Sequence, residues 1–141
     1  MKRISLLTIV TAMVMALASL TANAAGPIPK GVRELPAGQT IDLKKAPGHL
    51  VIVDFNASWC GPCQRFAPIF ADAAKTYAGK VEFISVDIDK HPALRQQLGI
   101  QSIPYLLFIQ PDGKMNVWNG FLPADAFNKA IDQFLGPDKN E

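Results

Sequence analysis

The sequence predicts an α/β fold, with a central mixed β-sheet that is flanked by helices on both faces. Short β-branched apolar runs, which are typical of buried strands, alternate with segments whose apolar residues recur at helical spacing. The order is strand, helix, strand, helix, strand, strand, helix. A helical crossover joins the first two strands, which should therefore run parallel, and a short turn joins the last two into an antiparallel hairpin.

The first half of the predicted domain holds two strands and the helix that connects them. Leu50–Phe55 is an almost unbroken apolar run, as expected for a strand that is covered on both faces. A helix begins near Cys60, carries apolar residues at three- and four-residue steps, and closes at Gly79. Val81–Asp87 is then the second strand, because its apolar residues are largely β-branched or aromatic.

The second half contains a short helix, a hairpin and a final helix. Pro92–Leu98 is the short helix, which a following glycine ends. Tyr105–Ile109 and Lys114–Trp118 are the hairpin strands, because a Pro-Asp-Gly turn lies between them. Ala124–Leu135 is the last helix, since its apolar residues share one face. The residues of this face that we expect to be buried are Phe127, Ala130, Ile131, Phe134 and Leu135.

The first 24 residues have the layout of a secretory signal peptide. Two basic residues precede the 17-residue, mostly apolar stretch Ile4–Leu20, and Ala22-Asn23-Ala24 then matches an A-x-A cleavage pattern. We therefore predict export to the periplasm and removal of residues 1–24. The alternative is a retained membrane anchor, for which the apolar stretch is short; contact with the membrane is expected only in that case.

The mature chain is predicted to form one domain. After a lead-in at 25–48 that is rich in Pro, Gly and Lys, with a short strand at Val32–Leu35, the domain spans 49–137 and a polar tail follows at 138–141. The full chain has 14 basic and 12 acidic side chains, and two of the basic ones lie in the leader. The mature protein is therefore nearly neutral and has no basic patch for a nucleic acid. We expect a monomer.

The two cysteines, Cys60 and Cys63, lie two residues apart at the start of a predicted helix. A loop this short restrains little of the unfolded chain, so the pair is not a stabilising cross-link. Unpaired N–H groups and the helix dipole stabilise a thiolate at the first position, and the second thiol lies one turn away, expected to be the more buried. This arrangement predicts thiol–disulfide exchange without a cofactor.

A zinc site is the main alternative for the cysteine pair. Such a site needs about four ligands, and only His49 and His91 remain, neither spaced to join the cysteines. We therefore expect no metal and interpret both histidines as loop residues.

Asp54 is the only charged residue in the first apolar strand. Burial there would raise its pKa, so that the carboxyl could accept or return the Cys63 proton near neutral pH. The alternative is an aspartate at the strand end, in contact with water.

Several short motifs resemble those of the thioredoxin family in type, order and spacing, between about Leu50 and Leu135. They are Val53-Asp54-Phe55, Trp59-Cys60-Gly61-Pro62-Cys63, Ala67-Pro68, Ile103-Pro104 and Gly120. The resemblance implies the thioredoxin fold, with Cys60 as the attacking thiolate, Cys63 as the resolving thiol and Asp54 as the buried carboxylate behind them.

The resemblance also implies a substrate-binding surface around the cysteines. Its residues are Trp59, Gly61, Pro62, Ile103, Pro104 and Gly120. The Ile103–Pro104 bond resembles the family's cis-proline, next to which backbone groups meet an extended substrate. The residues alone leave open a trans proline at a strand start, an ordinary core tryptophan at Trp59 and a simple hairpin exit at Gly120.

Three positions depart from the family pattern. Asn56 stands where typical members carry a tryptophan, Ser85 where they carry a lysine near the buried aspartate, and Tyr105 where a threonine is commoner. The missing cation predicts a still higher pKa for Asp54. These departures, together with export, argue against the usual cytosolic reductase as the electron donor.

The leading functional prediction is a reductant of protein disulfides outside the cytosol. The resemblance implies electrons from a membrane thiol transporter and, as substrates, misoxidised proteins or apocytochrome c. The second hypothesis is a disulfide oxidase or isomerase of the same fold, although family oxidases usually carry a helical insertion that is absent from this sequence. The third is a non-catalytic interaction module, against which the intact Cys60, Cys63, Asp54 and Pro104 argue.

Overall fold

A computed structural model describes residues 27–137 of the protein. The predicted signal peptide at 1–24 and the polar tail at 138–141 lie outside these residues. The elements of the described part are β1 (Val32–Glu34), β2 (Leu50–Asn56), α1 (Gly61–Thr76), β3 (Val81–Asp87), α2 (Pro92–Gln97), β4 (Tyr105–Ile109), β5 (Met115–Asn119) and α3 (Ala124–Leu135).

The strands form a mixed sheet in the order β1-β3-β2-β4-β5. β2 lies at the centre, parallel to β3 and antiparallel to β4, while β5 is the antiparallel hairpin partner of β4. The predicted crossover and hairpin are therefore both confirmed. The lead-in contributes β1, which pairs in parallel with β3 and extends the sheet by one edge strand.

Helices cover both faces of the sheet, as the sequence predicted. On one face, α1 and α3 meet through aromatic rings, with the Phe66 and Phe127 centroids 5.1 Å apart. On the other face, α2 contributes Leu94 to a second apolar cluster around Val53 and Leu107. Because both faces are covered, β2 is buried along nearly its whole length, which explains its lack of polar alternation.

Most predicted element bounds agree with the structure within one or two residues. α3 has the predicted bounds, whereas α1 ends at Thr76 rather than near Gly79. Gly79 instead adopts a positive φ of 81° in the turn before β3, a conformation that favours glycine.

One prediction about an individual side chain was wrong, and one residue predicted to lie in a loop has a role that the sequence did not show. Leu135 is 37% exposed rather than buried, because it ends α3 one turn beyond Ile131, the last fully buried residue of that face. His91 lies between elements as predicted, but it is buried. Its ring nitrogens lie 2.9 Å from the Asp87 carbonyl oxygen and 3.0 Å from that of Pro36, which ties the lead-in to the end of β3.

Within residues 27–137, no helix combines the length and the apolar character needed to cross a bilayer.

Candidate active site

The cysteine pair lies at the start of α1, just after the loop that follows the carboxyl end of the central strand β2. Cys60 is the N-cap of α1, and its sulfur accepts a hydrogen bond from the Cys63 backbone N–H at 3.2 Å. Gly61 and Pro62 are the first two helical residues, where the missing N–H of proline costs nothing. The Cys63 N–H, which has no partner within the helix, thus points at the Cys60 sulfur.

Cys60 and Cys63 form a disulfide, with their Cα atoms 5.2 Å apart. The structure therefore holds the oxidised form of the pair. Both residues are buried, with exposed fractions of 5% and 3%. Cys63 was expected to be more buried than Cys60, and in the oxidised form the difference between them is small.

The Ile103–Pro104 loop faces the disulfide. The bond is cis, as the family resemblance implied, and the Ile103 carbonyl oxygen lies 3.8 Å from the Cys60 sulfur. The Pro104 carbonyl oxygen accepts a hydrogen bond from the Gly120 N–H at 2.8 Å. Gly120 has a φ of 96°, and a Cβ built there would meet open space. The backbone of Ile103 therefore borders the disulfide, and Gly120 is hydrogen-bonded to the same loop.

Trp59 extends from the rim of this surface and is not an ordinary core residue. Its side chain is 64% exposed, and its Nε1–H donates to Asp89 Oδ2 at 2.8 Å. Phe121, next to Gly120, is 40% exposed and lies under the Arg65 guanidinium, whose carbon is 5.9 Å from the ring centroid. Sequence reasoning missed Asp89 and Phe121, because only the fold brings them to this rim.

Asp54 lies behind the disulfide and is only 3% exposed, which excludes the alternative of a solvated strand-end aspartate. Burial raises the pKa of its carboxyl to about 7, and a hydrogen bond from Asn56 opposes part of this rise. The direction agrees with the sequence-based expectation. No group within residues 27–137 hydrogen-bonds to Oδ1 of this buried carboxyl.

Asn56 makes contacts that the sequence did not reveal. Its Nδ2 lies 2.8 Å from Ser85 Oγ, 3.1 Å from the Asp54 carbonyl oxygen and 3.4 Å from Asp54 Oδ2. The two main departures from the family pattern therefore touch each other, and Asn56 also touches the carboxyl that they surround.

Both histidines contact oxygen atoms of residues within 27–137. In the part of the chain that the structure describes, no group of three or more His, Cys, Asp or Glu side chains is placed to hold a metal ion. His49 Nε2 instead lies 2.9 Å from Glu82 Oε2, on the face of the sheet opposite to that of Asp54.

Comparisons with known proteins point to one family. The family model described as Thioredoxin matches residues 40–133. The thioredoxin of Borreliella burgdorferi is 46% identical over 85 residues, which are 60% of this chain and 73% of that protein. The thioredoxin of Chlorobaculum thiosulfatiphilum is 38% identical over 98 residues, 70% of this chain and 87% of that protein. The solved structure of chloroplastic thioredoxin z has a TM-score of 0.67 at 30% identity, covering 76% of this chain and 96% of that one.

The matched region includes every element from β2 to β5 and most of α3. It also contains the Cys60–Cys63 pair, found here at disulfide distance. The chain therefore belongs to the thioredoxin family and is a thiol–disulfide oxidoreductase that acts as a protein-disulfide reductase.

Proposed function

We propose that the chain reduces protein disulfides outside the cytosol, with Cys60 as the attacking thiolate and Cys63 as the resolving thiol. The observation that carries this proposal is the position of Cys60 at the N-cap of α1. Its sulfur accepts the Cys63 N–H at 3.2 Å, where the first turn and the helix dipole favour negative charge.

The reaction transfers two electrons from the reduced pair to a substrate. The Cys60 thiolate attacks one sulfur of the substrate disulfide, a mixed disulfide forms, and the other substrate sulfur leaves as a thiolate. The Cys63 thiol then loses its proton, attacks the Cys60 sulfur and displaces the second substrate thiolate. The product is the Cys60–Cys63 disulfide, which is the state held in the structure.

Asp54 is the group that we propose as acceptor of the Cys63 proton. Asp54 and Cys63 line the same cavity behind the disulfide. Because burial raises the carboxyl pKa to about 7, Asp54 can exchange a proton near neutral pH.

The substrate backbone is proposed to lie along the surface beside Cys60. Gly61 and Pro62 are exposed there, the Ile103 carbonyl oxygen lies 3.8 Å from the sulfur, and Gly120 is hydrogen-bonded to the Pro104 carbonyl oxygen. The exposed Trp59 ring would pack on an apolar part of the bound protein.

Export and the electron donor are the further parts of the proposal. The signal-like segment 1–24 supports a periplasmic location, and the Gly-Pro pair between the cysteines resembles that of reducing members of the family. Each turnover leaves a disulfide, so a second dithiol must return two electrons. We propose a membrane thiol transporter for this role, acting on a monomeric protein.

The direction of electron flow is tested by equilibrating the Cys60–Cys63 pair with glutathione buffers. A reductant should have a potential near that of thioredoxin, about −270 mV, and a value near −120 mV would favour an oxidase instead. Thiol alkylation followed by mass spectrometry measures the oxidised fraction. The variant Cys60→Ser is the control, because it cannot form the disulfide.

The location is tested with the full chain expressed in a bacterium that has a periplasm. We expect a periplasmic protein that begins at Ala25, as read by intact mass. Replacing Lys2 and Arg3 by glutamate should retain the precursor in the cytosol. A full-length wild-type mass in the cytosol would contradict export.

A further inference from the structure

A cavity of about 410 Å³ lies behind the disulfide, between α1 and strands β1, β3 and β2. The buried residues Asp54 and Cys63 line its inner part, and the exposed residues Ser58, Gln64 and Lys90 line its outer part. The volume is far above the ~10–15 Å³ that one water molecule requires. We call this cavity the rear passage, because it leads from the surface to the side of the disulfide opposite the substrate.

A row of polar side chains crosses the sheet along the wall of the rear passage. Glu34 of β1 pairs in register with Ser85 of β3, and Ser85 pairs with Asp54 of β2. Neighbouring strands lie about 5 Å apart, so residues that are paired in this way on one face are close neighbours. The row therefore connects an exposed carboxylate at the sheet edge with the buried one beside the cysteines.

Asn56 fixes one side of the Asp54 carboxyl. Its amide Nδ2 lies 2.8 Å from Ser85 Oγ and 3.4 Å from Asp54 Oδ2. The other oxygen, Oδ1, has no hydrogen-bond partner among residues 27–137. The carboxyl is therefore held by an amide at one oxygen and is left without a hydrogen bond at the other.

The side chains at positions 56 and 85 both line the passage, and both are short. The family resemblance places a tryptophan at the first position and a lysine at the second, and both are much larger than asparagine and serine. Short polar side chains line the cavity here, in place of a ring and a long cationic stem. The two departures from the family pattern, Asn56 and Ser85, thus both affect the rear passage.

We propose that the rear passage admits water and small carboxylic acids to Asp54, and that Asn56 is a positioning residue that holds the carboxyl for proton exchange with them. This inference rests on the proposed function, since the proton in question is the one that Cys63 releases.

The proton step requires no further reactant. The Cys63 thiol gives its proton to the ionised Asp54 carboxylate, and its sulfur attacks Cys60, which breaks the bond to the substrate sulfur and releases the substrate as a thiolate. Asp54 then passes the proton to water in the passage. Other charged groups that line the passage are Glu34 on β1, Asp87 at the end of β3 and Lys90 just after it. α1 contributes uncharged lining residues, among them Gln64. Asp54 is thus the buried charged group of the passage, and Glu34, Asp87 and Lys90 lie nearer to the solvent.

Chemical rescue by formate tests whether the passage is open. The variant Asp54→Ala should release mixed disulfides about 100-fold more slowly than wild type, as is typical for loss of a general base. Added formate should restore much of that rate by entering the passage. The double variant Asp54→Ala/Asn56→Trp should lose the rescue, because the indole fills the passage beside position 54. Asp54→Ala/Asn116→Trp is the matched control, since Asn116 is exposed on β5 at the other edge of the sheet, and it should keep the rescue.

Equal rescue of the two double variants, or no rescue of Asp54→Ala, would overturn the passage. If Asn56→Trp prevents folding, the rescue is tested with Asp54→Ala/Ser85→Met instead, because a methionine at position 85 also narrows the passage without adding a charge. Failure of the passage differs from failure of the proposed function, because in the first case wild type still reduces insulin disulfides and in the second case it does not.

A titration of the Asp54 carboxyl carbon by NMR tests the positioning role. In the oxidised protein, Asn56→Leu should move the titration midpoint of Asp54 upward, because the hydrogen bond that favours the charged carboxyl is lost. Ser85→Ala should give a smaller shift in the same direction, since it removes only the partner that orients the Asn56 amide. An unchanged midpoint in Asn56→Leu would overturn the role.

Discussion

Asp54 and Glu82 are carboxylates on the neighbouring, parallel strands β2 and β3, and their surroundings move their pKa values in opposite directions. Asp54 lies near the end of β2, faces α1, and has its pKa raised by burial to about 7. Glu82 lies near the start of β3 in register with Val51, whose side chain belongs to the other face of the sheet. Burial raises the pKa of Glu82, but hydrogen bonds from His49 and Arg33 outweigh this effect and the net pKa is lowered.

The difference separates a stabilising carboxylate from a reactive one. Arg33 Nη2 and His49 Nε2 each lie 2.9 Å from an oxygen of Glu82, so its charge is matched in the folded state. Asp54 has a neutral amide on one oxygen, and in the described part of the chain no cation lowers its pKa, so its charge is costly. A buried carboxylate without a charged partner, placed beside the cysteines, is what proton exchange near neutral pH requires. Variants at the two positions should therefore respond oppositely to pH.

The largest expected effect on stability is that of Asp54→Asn. Because the folded pKa is raised from 3.8 to about 7, ionising Asp54 destabilises the folded state. The cost is absent below the unfolded pKa, grows as pH rises, and levels off above the folded pKa at about 4 kcal/mol. The free energy of unfolding of Asp54→Asn, relative to wild type, should rise by roughly that amount between pH 4 and pH 8. Urea denaturation of the oxidised proteins measures it, and a difference that does not change with pH would contradict the burial argument.

Glu82→Gln should act in the opposite sense and more weakly. A lowered folded pKa contributes stability that is present above the unfolded pKa and is lost as pH falls through the folded pKa. Removing the charge should therefore lower the free energy of unfolding by about 1 kcal/mol at pH 7 and by less in acid. The control is Arg33→Gln, which removes one of the two partners and should have a smaller effect. Equal destabilisation at pH 3 and pH 7 would mean that packing, rather than charge, is lost.

The smallest expected effect is the coupling between the two carboxylates. Glu82 precedes Ser85, the register partner of Asp54, by three residues, which is about 10 Å along a strand. Substitutions at such separation are usually additive within about 0.5 kcal/mol. The double variant Asp54→Asn/Glu82→Gln should therefore equal the sum of the single variants in urea denaturation. A larger coupling would show that the two faces of the sheet share an electrostatic network.

The contrast between the two carboxylates also marks how far the sequence could predict the site. Asp54 was predicted to be buried because it is the only charge in an apolar strand, a local pattern that needs no knowledge of the fold. The surroundings of Glu82 depend on Arg33 and His49, which lie 49 and 33 residues away in the chain. Partners at such distances become neighbours only when β1 and β2 pair with β3.

The same limit applies to the rest of the site. The position of the cysteines at a helix start and the bounds of α3 could both be predicted, because each depends only on residues that are close together in the sequence. The Asn56–Ser85 contact joins two strands across 29 residues, so the sequence could mark the two positions as unusual but could not bring them together. The rear passage likewise depends on how α1 packs over β1 and β3.

The most direct test of the account is the rate at which the mixed disulfide resolves, followed by stopped-flow across pH 5–9 with a small protein disulfide as substrate. Wild type should speed up with pH around a midpoint near 7, where Asp54 ionises. Asp54→Asn should lose this step and react about 100-fold more slowly, while Glu82→Gln should keep the wild-type profile. A wild-type rate and profile in Asp54→Asn would contradict the claim that Asp54 exchanges the Cys63 proton.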